Sequence, residues 1–224
     1  KEKLIYYPST TEKKITILIR TCYRPLLFKR CIESILQQRY SNVHIVICYD
    51  NQKAKQYIEP YTSKVKYCDA FFCTIQSDEK YKFNLYCNDL LSKVTSGYCL
   101  YLDDDNEFTH KNCLNIINHN LREDRICIWK YLRGDKLIYP QNTDSIVLGD
   151  IDSSSFCFPC EYKKYGKWPD KQYGDYSFLN SVITKITAIK NTSPKDEITY
   201  IPLTLTKCIQ DNIGNFGKST IEGL

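Results

Sequence analysis

The chain has 224 residues, 42% of them hydrophobic and 25% charged, which suits a single globular α/β domain. Its net charge of +5 is mild and scattered, and so lacks the clustered basic stripe that a nucleic-acid partner requires. No apolar run approaches the ~20 residues needed to span a bilayer, and the absence of methionine carries the expectation that the native start was removed or lies outside this sequence.

The run Ile15 to Ile19 is continuous, apolar and largely β-branched, the pattern of a strand buried on both faces. Pro25 then suits the first turn of a helix, and Leu27, Cys31 and Ile35 recur every four residues, predicting an amphipathic helix to about Gln38. Val43 to Cys48 is a second buried strand. Strand, helix and strand in so short a span make a βαβ unit and imply a parallel sheet. A third strand is expected at Val65 to Tyr67, and a helix at Asn84 to Val94 that Gly97 stops. Tyr98 to Leu102 forms the next buried strand and runs directly into Asp103-Asp104-Asp105-Asn106. A helix over Lys111 to Leu121 and a strand over Ile126 to Tyr131 follow. In the second half, Ile146 to Leu148 and Ser154 to Phe158 read as strands, Trp168 falls in a loop, Asp175 to Ile186 reads as a helix and Ile198 to Thr206 as a late strand. After Gln210 no pattern persists. With no repeat and no low-complexity linker, the chain reads as one domain of two halves, about 15–108 and about 109–210.

Twelve cysteines would suit a disulfide scaffold in a short secreted protein. Here Cys48 and Cys99 lie inside apolar strand runs and Cys31 on a helical face, where cysteine behaves as a small buried hydrophobe. The expectation is free thiols in the cytoplasm or another reducing compartment. Cys157 and Cys160 form a lone CxxC, which without a second pair reads as structural rather than as a zinc site.

A carboxylate cluster at the end of a buried strand requires a physical reason. Adjacent carboxylates repel one another, and burying them is costly unless a cation or hydrogen bonds compensate. In open α/β sheets, ligands sit beyond the carboxyl ends of the strands. Asp103 and Asp105 project to the same side of an extended chain, so the pair suits Mg²⁺ or Mn²⁺ shared with a phosphate.

The order and spacing of four segments carry a resemblance. They are Ile15-Thr16-Ile17-Leu18-Ile19-Arg20-Thr21 with Arg24-Pro25 and the following helix, Val43 to Asn51, Tyr101 to Asn106, and Gly174-Asp175-Tyr176-Ser177-Phe178. Over roughly Ile15 to Ile183 the sequence resembles the GT-A glycosyltransferases, in particular the family-2 group of inverting enzymes. The resemblance implies a Rossmann-like, mostly parallel sheet flanked by helices, and transfer of a sugar from a nucleotide-sugar donor, a UDP-sugar by preference. The acceptor hydroxyl would belong to a glycan, a protein or a lipid-linked molecule. By that resemblance Thr21 and Arg24 line the base pocket, and Asp50 contacts the base at a uracil ring nitrogen. Asp103 and Asp104 lie with the nucleotide, Asp103 and Asp105 hold Mn²⁺ or Mg²⁺, and Asp175 is the general base. Asp150 and Asp152 would bind acceptor hydroxyls and Trp168 would stack on a sugar face.

Two departures stand out. Gly174 occupies a position where the family often has a first acidic residue before its late helix. The three histidines, His44, His110 and His119, all precede the second half, so none is placed to act as a late metal ligand. The QxxRW signature of processive synthases is absent, which favours transfer of one sugar. The rival readings are a nucleotidyltransferase, disfavoured because Arg20 to Pro25 contains no phosphate-cradling glycine, and a non-catalytic carbohydrate- or nucleotide-binding relative.

Overall fold

A computed structural model describes residues 11–73, 75, 80–135, 137–140 and 145–209. The first four strands alternate with helices: β1 (Ile15–Thr21), α1 (Pro25–Leu36), β2 (Val43–Tyr49), α2 (Lys55–Thr62), β3 (Cys68–Phe72), α3 (Lys82–Ser92) and β4 (Tyr98–Tyr101). β5 (Asn106–Phe108), α4 (Cys113–Asn120), β6 (Ile126–Arg133), β7 (Leu137–Tyr139) and β8 (Phe156–Pro159) follow. The described fold closes with α5 (Gly174–Lys190) and β9 (Ile198–Cys208). One sheet runs in the order β3-β2-β1-β4-β8-β6-β9-β5, with β7 paired to β6. The half β3-β2-β1-β4 is parallel, whereas β8 lies antiparallel between β4 and β6. β6 and β9 are parallel again.

The apolar run of β1 is continuous because both faces of this strand are covered. Ile15, Ile17 and Ile19 enter one cluster with Phe28, Cys31 and Ile35 of α1, whereas Leu18 enters the opposite cluster with Leu90 of α3 and Phe178 of α5. Every second residue therefore meets a different helix layer. The layers leave the carboxyl ends of the parallel strands accessible, where Thr21, Tyr49 and Tyr101 give way to loops.

Most expected elements are present, with three differences. The third strand is Cys68–Phe72, not Val65 to Tyr67: it lies at the sheet edge with Asp69 and Ala70 exposed, so its apolar pattern is broken, and the Tyr67 carbonyl begins its ladder by accepting from Ile45 N. Ile146 to Leu148 is not a strand. Val147 and Leu148 are exposed, Asp150 N bonds the Val147 carbonyl at 3.1 Å, and Gly149 adopts φ +89°, which makes a turn. Ser154 and Ser155 belong to a 3₁₀ turn, Ser153–Ser155, capped by Asp152, and the strand begins only at Phe156. The helix α2, which contains Pro60, and the short strands β5 and β7 lack periodic apolar signals. All twelve cysteines are free. No helix among the described residues is long and apolar enough to cross a membrane. The residues after Gln210 lie outside the described ones.

Gly97 fixes the entry to β4. It adopts φ +79°, and a Cβ there would lie 2.4 Å from the Lys14 carbonyl oxygen, which already accepts from Tyr98 N. Gly97→Ala should therefore destabilise the fold by about 1–3 kcal/mol, the usual cost of a strained backbone position. Urea unfolding checks this: the midpoint should fall at constant slope, and an unchanged midpoint would contradict the strain.

Candidate active site

β1 delivers Arg20 and Thr21 to the carboxyl edge of the sheet, and the chain leaving β4 delivers Asp103, Asp104 and Asp105 beside them. Arg20 grips Asp103 with a two-pronged pair, Nε to Oδ1 at 2.7 Å and Nη2 to Oδ2 at 2.6 Å. Ser153 Oγ adds a third bond to Asp103 Oδ2 at 2.9 Å. The remaining Arg20 nitrogen donates to the Phe83 carbonyl and to Asn84 Oδ1, and its guanidinium lies over the Phe83 ring. Asp104 is fully buried. Thr21 Oγ1 donates to its Oδ2 at 2.6 Å, and Arg24 contacts both its oxygens and reaches Asp105 Oδ2 at 3.3 Å. The acidic run is thus no solvated turn: two arginines four residues apart offset most of its charge, and Thr21 and Ser153 add hydrogen bonds to Asp104 and Asp103.

Two cavities open along this edge and share Arg20, Phe83, Asp103 and Asp105. The smaller, about 110 Å³, brings together Thr21, Arg24 and Asp50 with Tyr86 and Cys22. Asp50 Oδ1 is buried there and takes no hydrogen bond among the described residues. A buried carboxylate oxygen without a donor is costly, so Asp50 Oδ1 keeps its full accepting capacity towards this cavity. The larger cavity, about 320 Å³, brings Asp152 and Asp175 to the same cleft as Asp103 and Asp105.

Asp175 sits in the first turn of α5, which Tyr173 enters in the left-handed conformation at φ 58°. Its Oδ1 accepts from Tyr176 N at 2.8 Å. Burial, reinforced by the Asp152 charge, pushes its carboxyl up to about 7. Asp105 is likewise pushed to about 7 by burial and the flanking Asp104 and Asp103, against the pull of Arg24. Asp152 is raised by burial while Ser154 and Asn106 bond its Oδ1. The glycine before Asp175 has a steric origin: a Cβ on Gly174 would lie 2.4 Å from Asn84 Nδ2, and Asn84 is held in turn by Arg20 and the Lys171 carbonyl.

Three residues singled out in the sequence are placed differently from the expectation: Trp168 borders the larger cavity with its ring buried, and Asp150 and Asp104 lie outside both cavity linings. Trp168 is 1% exposed, its ring stacked on Phe178 at 5.1 Å and its Nε1 bonded to Tyr101 Oη at 2.9 Å. It supports the cleft wall from behind, with no ring face open to a sugar. Asp150 lies in the turn after Leu148, outside the cleft lining. Asp104 lies beneath the cleft and acts on Thr21 and Arg24. The sequence reading missed Arg20, Asn84, Ser153 and Arg133, all of which line the larger cavity. Only the arginine pair had a signal, as the counter-charge that three adjacent carboxylates demand.

Among the described residues no three His, Cys, Asp or Glu side chains converge on one point. Asp103 has both oxygens committed to Arg20 and Asp104 is buried, whereas among the described residues Asp105 Oδ1 takes no hydrogen bond and the buried amide oxygen of the next residue, Asn106, has no partner. This set of hard oxygens fits a small divalent cation held by one carboxylate, with ligand phosphate and water completing the shell, better than an all-protein cage.

The sequence profile of Glycosyl transferase family 2 matches residues 16–182, so the chain belongs to that family of glycosyltransferases. Its fold is shared by solved GT-A structures. S. aureus TarS 1–349 superposes with a TM-score of 0.67 at 12% identity, over 88% of this chain and 60% of that one. The TarS complex with UDP-GlcNAc gives 0.66 at 12% identity, over 93% and 62%. The mannosyltransferase PcManGT from Pyrobaculum calidifontis, in complex with GDP-Man and Mn²⁺, gives 0.63 at 11% identity, over 92% and 59%. The chain therefore spans about 60% of the length of these structures. No curated protein sequence matches it significantly.

The Arg20–Asp103 pair is largely buried, with side chains 16% and 10% exposed. Arg20→Met should cost about 3–5 kcal/mol, because it leaves Asp103 charged and unpaired. Arg20→Met with Asp103→Asn should recover part of that loss. Equal stability of the single and double variants in urea would show that the pair does not organise the cleft.

Proposed function

We propose that the chain transfers a single sugar from a UDP-sugar to an acceptor hydroxyl with inversion, using one cleft for both substrates. The observation that carries this reading is the placement of the buried Asp175 carboxyl in the same cavity as Asp105. TarS has been solved with UDP and with UDP-GlcNAc, and the Pyrobaculum enzyme with GDP-Man and Mn²⁺, which supports a nucleoside-diphosphate sugar as the donor class.

The smaller cavity takes the base. Asp50 Oδ1 accepts the uracil ring N–H that would satisfy it, with Thr21 and Arg24 alongside. The diphosphate then falls at the junction of the two cavities, beside Asp105, and the sugar extends into the larger one. Asp105 would hold Mn²⁺ or Mg²⁺. When bound, such an ion supplies positive charge against the developing charge of the departing diphosphate. Asp175 takes the proton of the acceptor hydroxyl as that oxygen attacks the anomeric carbon. The bond to the diphosphate oxygen breaks on the opposite side, so the anomeric centre inverts and no enzyme nucleophile is needed. Asp152, whose Oδ1 is saturated by the 3₁₀ turn and Asn106, offers Oδ2 to an acceptor hydroxyl. The acceptor is a glycan, a protein or a lipid-linked molecule.

Asp175→Asn keeps size and removes the base, so transfer should fall by about 10²–10⁴-fold with donor affinity retained. In the native protein Asp175 and Asp105 are both protonated below raised pKa values of about 7, so kcat/KM should fall steeply below about pH 7, and Asp175→Asn should make that acid limb shallower without abolishing it. Near-normal transfer by Asp175→Asn would move the base elsewhere in the cleft, with Asp152 next in reach.

Donor binding is tested separately by calorimetry. Asp50→Ala should weaken UDP by about 1–3 kcal/mol while leaving the fold intact. Asp105→Ala should abolish the dependence of UDP affinity on Mn²⁺ or Mg²⁺. Equal UDP affinity with the metal and with EDTA in the native protein would rule out a metal-held donor.

A further inference from the structure

The cleft contains a third arginine that the acidic run does not use. Arg133 ends β6 and lines the larger cavity together with Asp152 and Asp175. Its guanidinium lies over the rings of Tyr131 and Tyr139, at 5.6 Å and 5.2 Å from their centroids, and Nη2 donates to Tyr131 Oη at 2.8 Å. The two rings are themselves packed, 5.6 Å apart, across the β6–β7 pairing of Tyr131 with Tyr139. Whereas Arg20 pairs with Asp103, and Arg24 with Asp104 and Asp105, Arg133 makes no ion pair among the described residues. Among the described residues, four of its five N–H donors have no partner.

A guanidinium partly withdrawn from water and pre-oriented by two aromatic faces, with the Asp152 and Asp175 charges acting on it only through space and no direct ion pair among the described residues, keeps its free donors for an anion. Its planar fork matches two oxygens of a phosphate better than a single sugar hydroxyl. The tyrosine support removes most of the rotamer freedom that an exposed arginine loses on binding. We propose that Arg133 is a phosphate-binding residue of the cleft, supplying the cation on which a substrate phosphate group rests. The inference deepens the donor–acceptor reading above and rests on it for the source of the phosphate. That source is either the donor's diphosphate or a phosphorylated acceptor entering beside Asp152 and Asp175.

Calorimetry with UDP, and thermal shift with inorganic phosphate in the presence and absence of UDP, test this on the native protein, Arg133→Gln and Arg133→Lys. If the donor supplies the phosphate, Arg133→Gln should weaken UDP at least tenfold while leaving uridine unchanged. If the acceptor supplies it, UDP affinity should persist, and the stabilisation of the UDP complex by inorganic phosphate should disappear in Arg133→Gln. Arg133→Lys should restore part of either effect. Arg30→Gln, which removes a surface arginine outside the cleft, should alter neither. Should the native protein fail to bind UDP at all, the donor reading falls, and loss of phosphate stabilisation of the free protein in Arg133→Gln still decides the role of Arg133. Unchanged UDP affinity together with unchanged phosphate stabilisation in Arg133→Gln would overturn the proposal.

Discussion

Three consecutive carboxylates at the end of a buried strand stay in place because Arg20 and Arg24 neutralise them. Arg20 takes Asp103 in a two-pronged pair, and Arg24 spans Asp104 and Asp105. In a site largely withdrawn from water, this arrangement decides which carboxylate is left over. Asp103 and Asp104 are spent on holding the strand ends together, and Asp105 keeps an oxygen for a ligand. The same arginines reach outward: Arg20 bonds Asn84, Asn84 sets the space available at Gly174, and Gly174 begins the helix that carries Asp175. The donor edge and the proposed base are therefore linked through three residues, not positioned independently.

The fold was legible in the sequence where burial on both faces forces continuous apolar runs. β1, β2 and β4 all show such runs, and α1 follows from its four-residue apolar recurrence. The edge strand β3 was misplaced because its exposed Asp69 and Ala70 interrupt the pattern. The exposed Val147 and Leu148 were taken for a strand because apolar composition alone does not reveal that a turn holds them at the surface. The helix α2 was silent because Pro60 lies inside it and Ile58 alone is fully buried.

The site was legible only in part, for the same kind of reason. Thr21, Arg24 and Asp50, named from a resemblance, come together around one cavity, and Asp152 and Asp175 line the other. Carboxylates at strand ends and helix starts are conspicuous, because no core position requires them. Their counter-charges are less conspicuous: an arginine that ends a strand, such as Arg20 or Arg133, has the same local pattern whether it faces solvent or a carboxylate. Trp168 was misjudged in the opposite direction. A tryptophan in a loop rich in Lys and Gly suggests an exposed ring, but here the loop folds the ring inward onto Phe178 and Tyr101.

The central claim is that donor and acceptor chemistry meet in the one cleft framed by these arginines. A crystal structure of the chain with a UDP-sugar and Mn²⁺ tests it most directly. The account predicts the uracil ring against Asp50, the diphosphate beside Asp105, and the anomeric carbon facing the Asp175 carboxylate. A nucleotide bound away from the carboxyl edge of β1 and β4, or an anomeric carbon screened from Asp175, would contradict it.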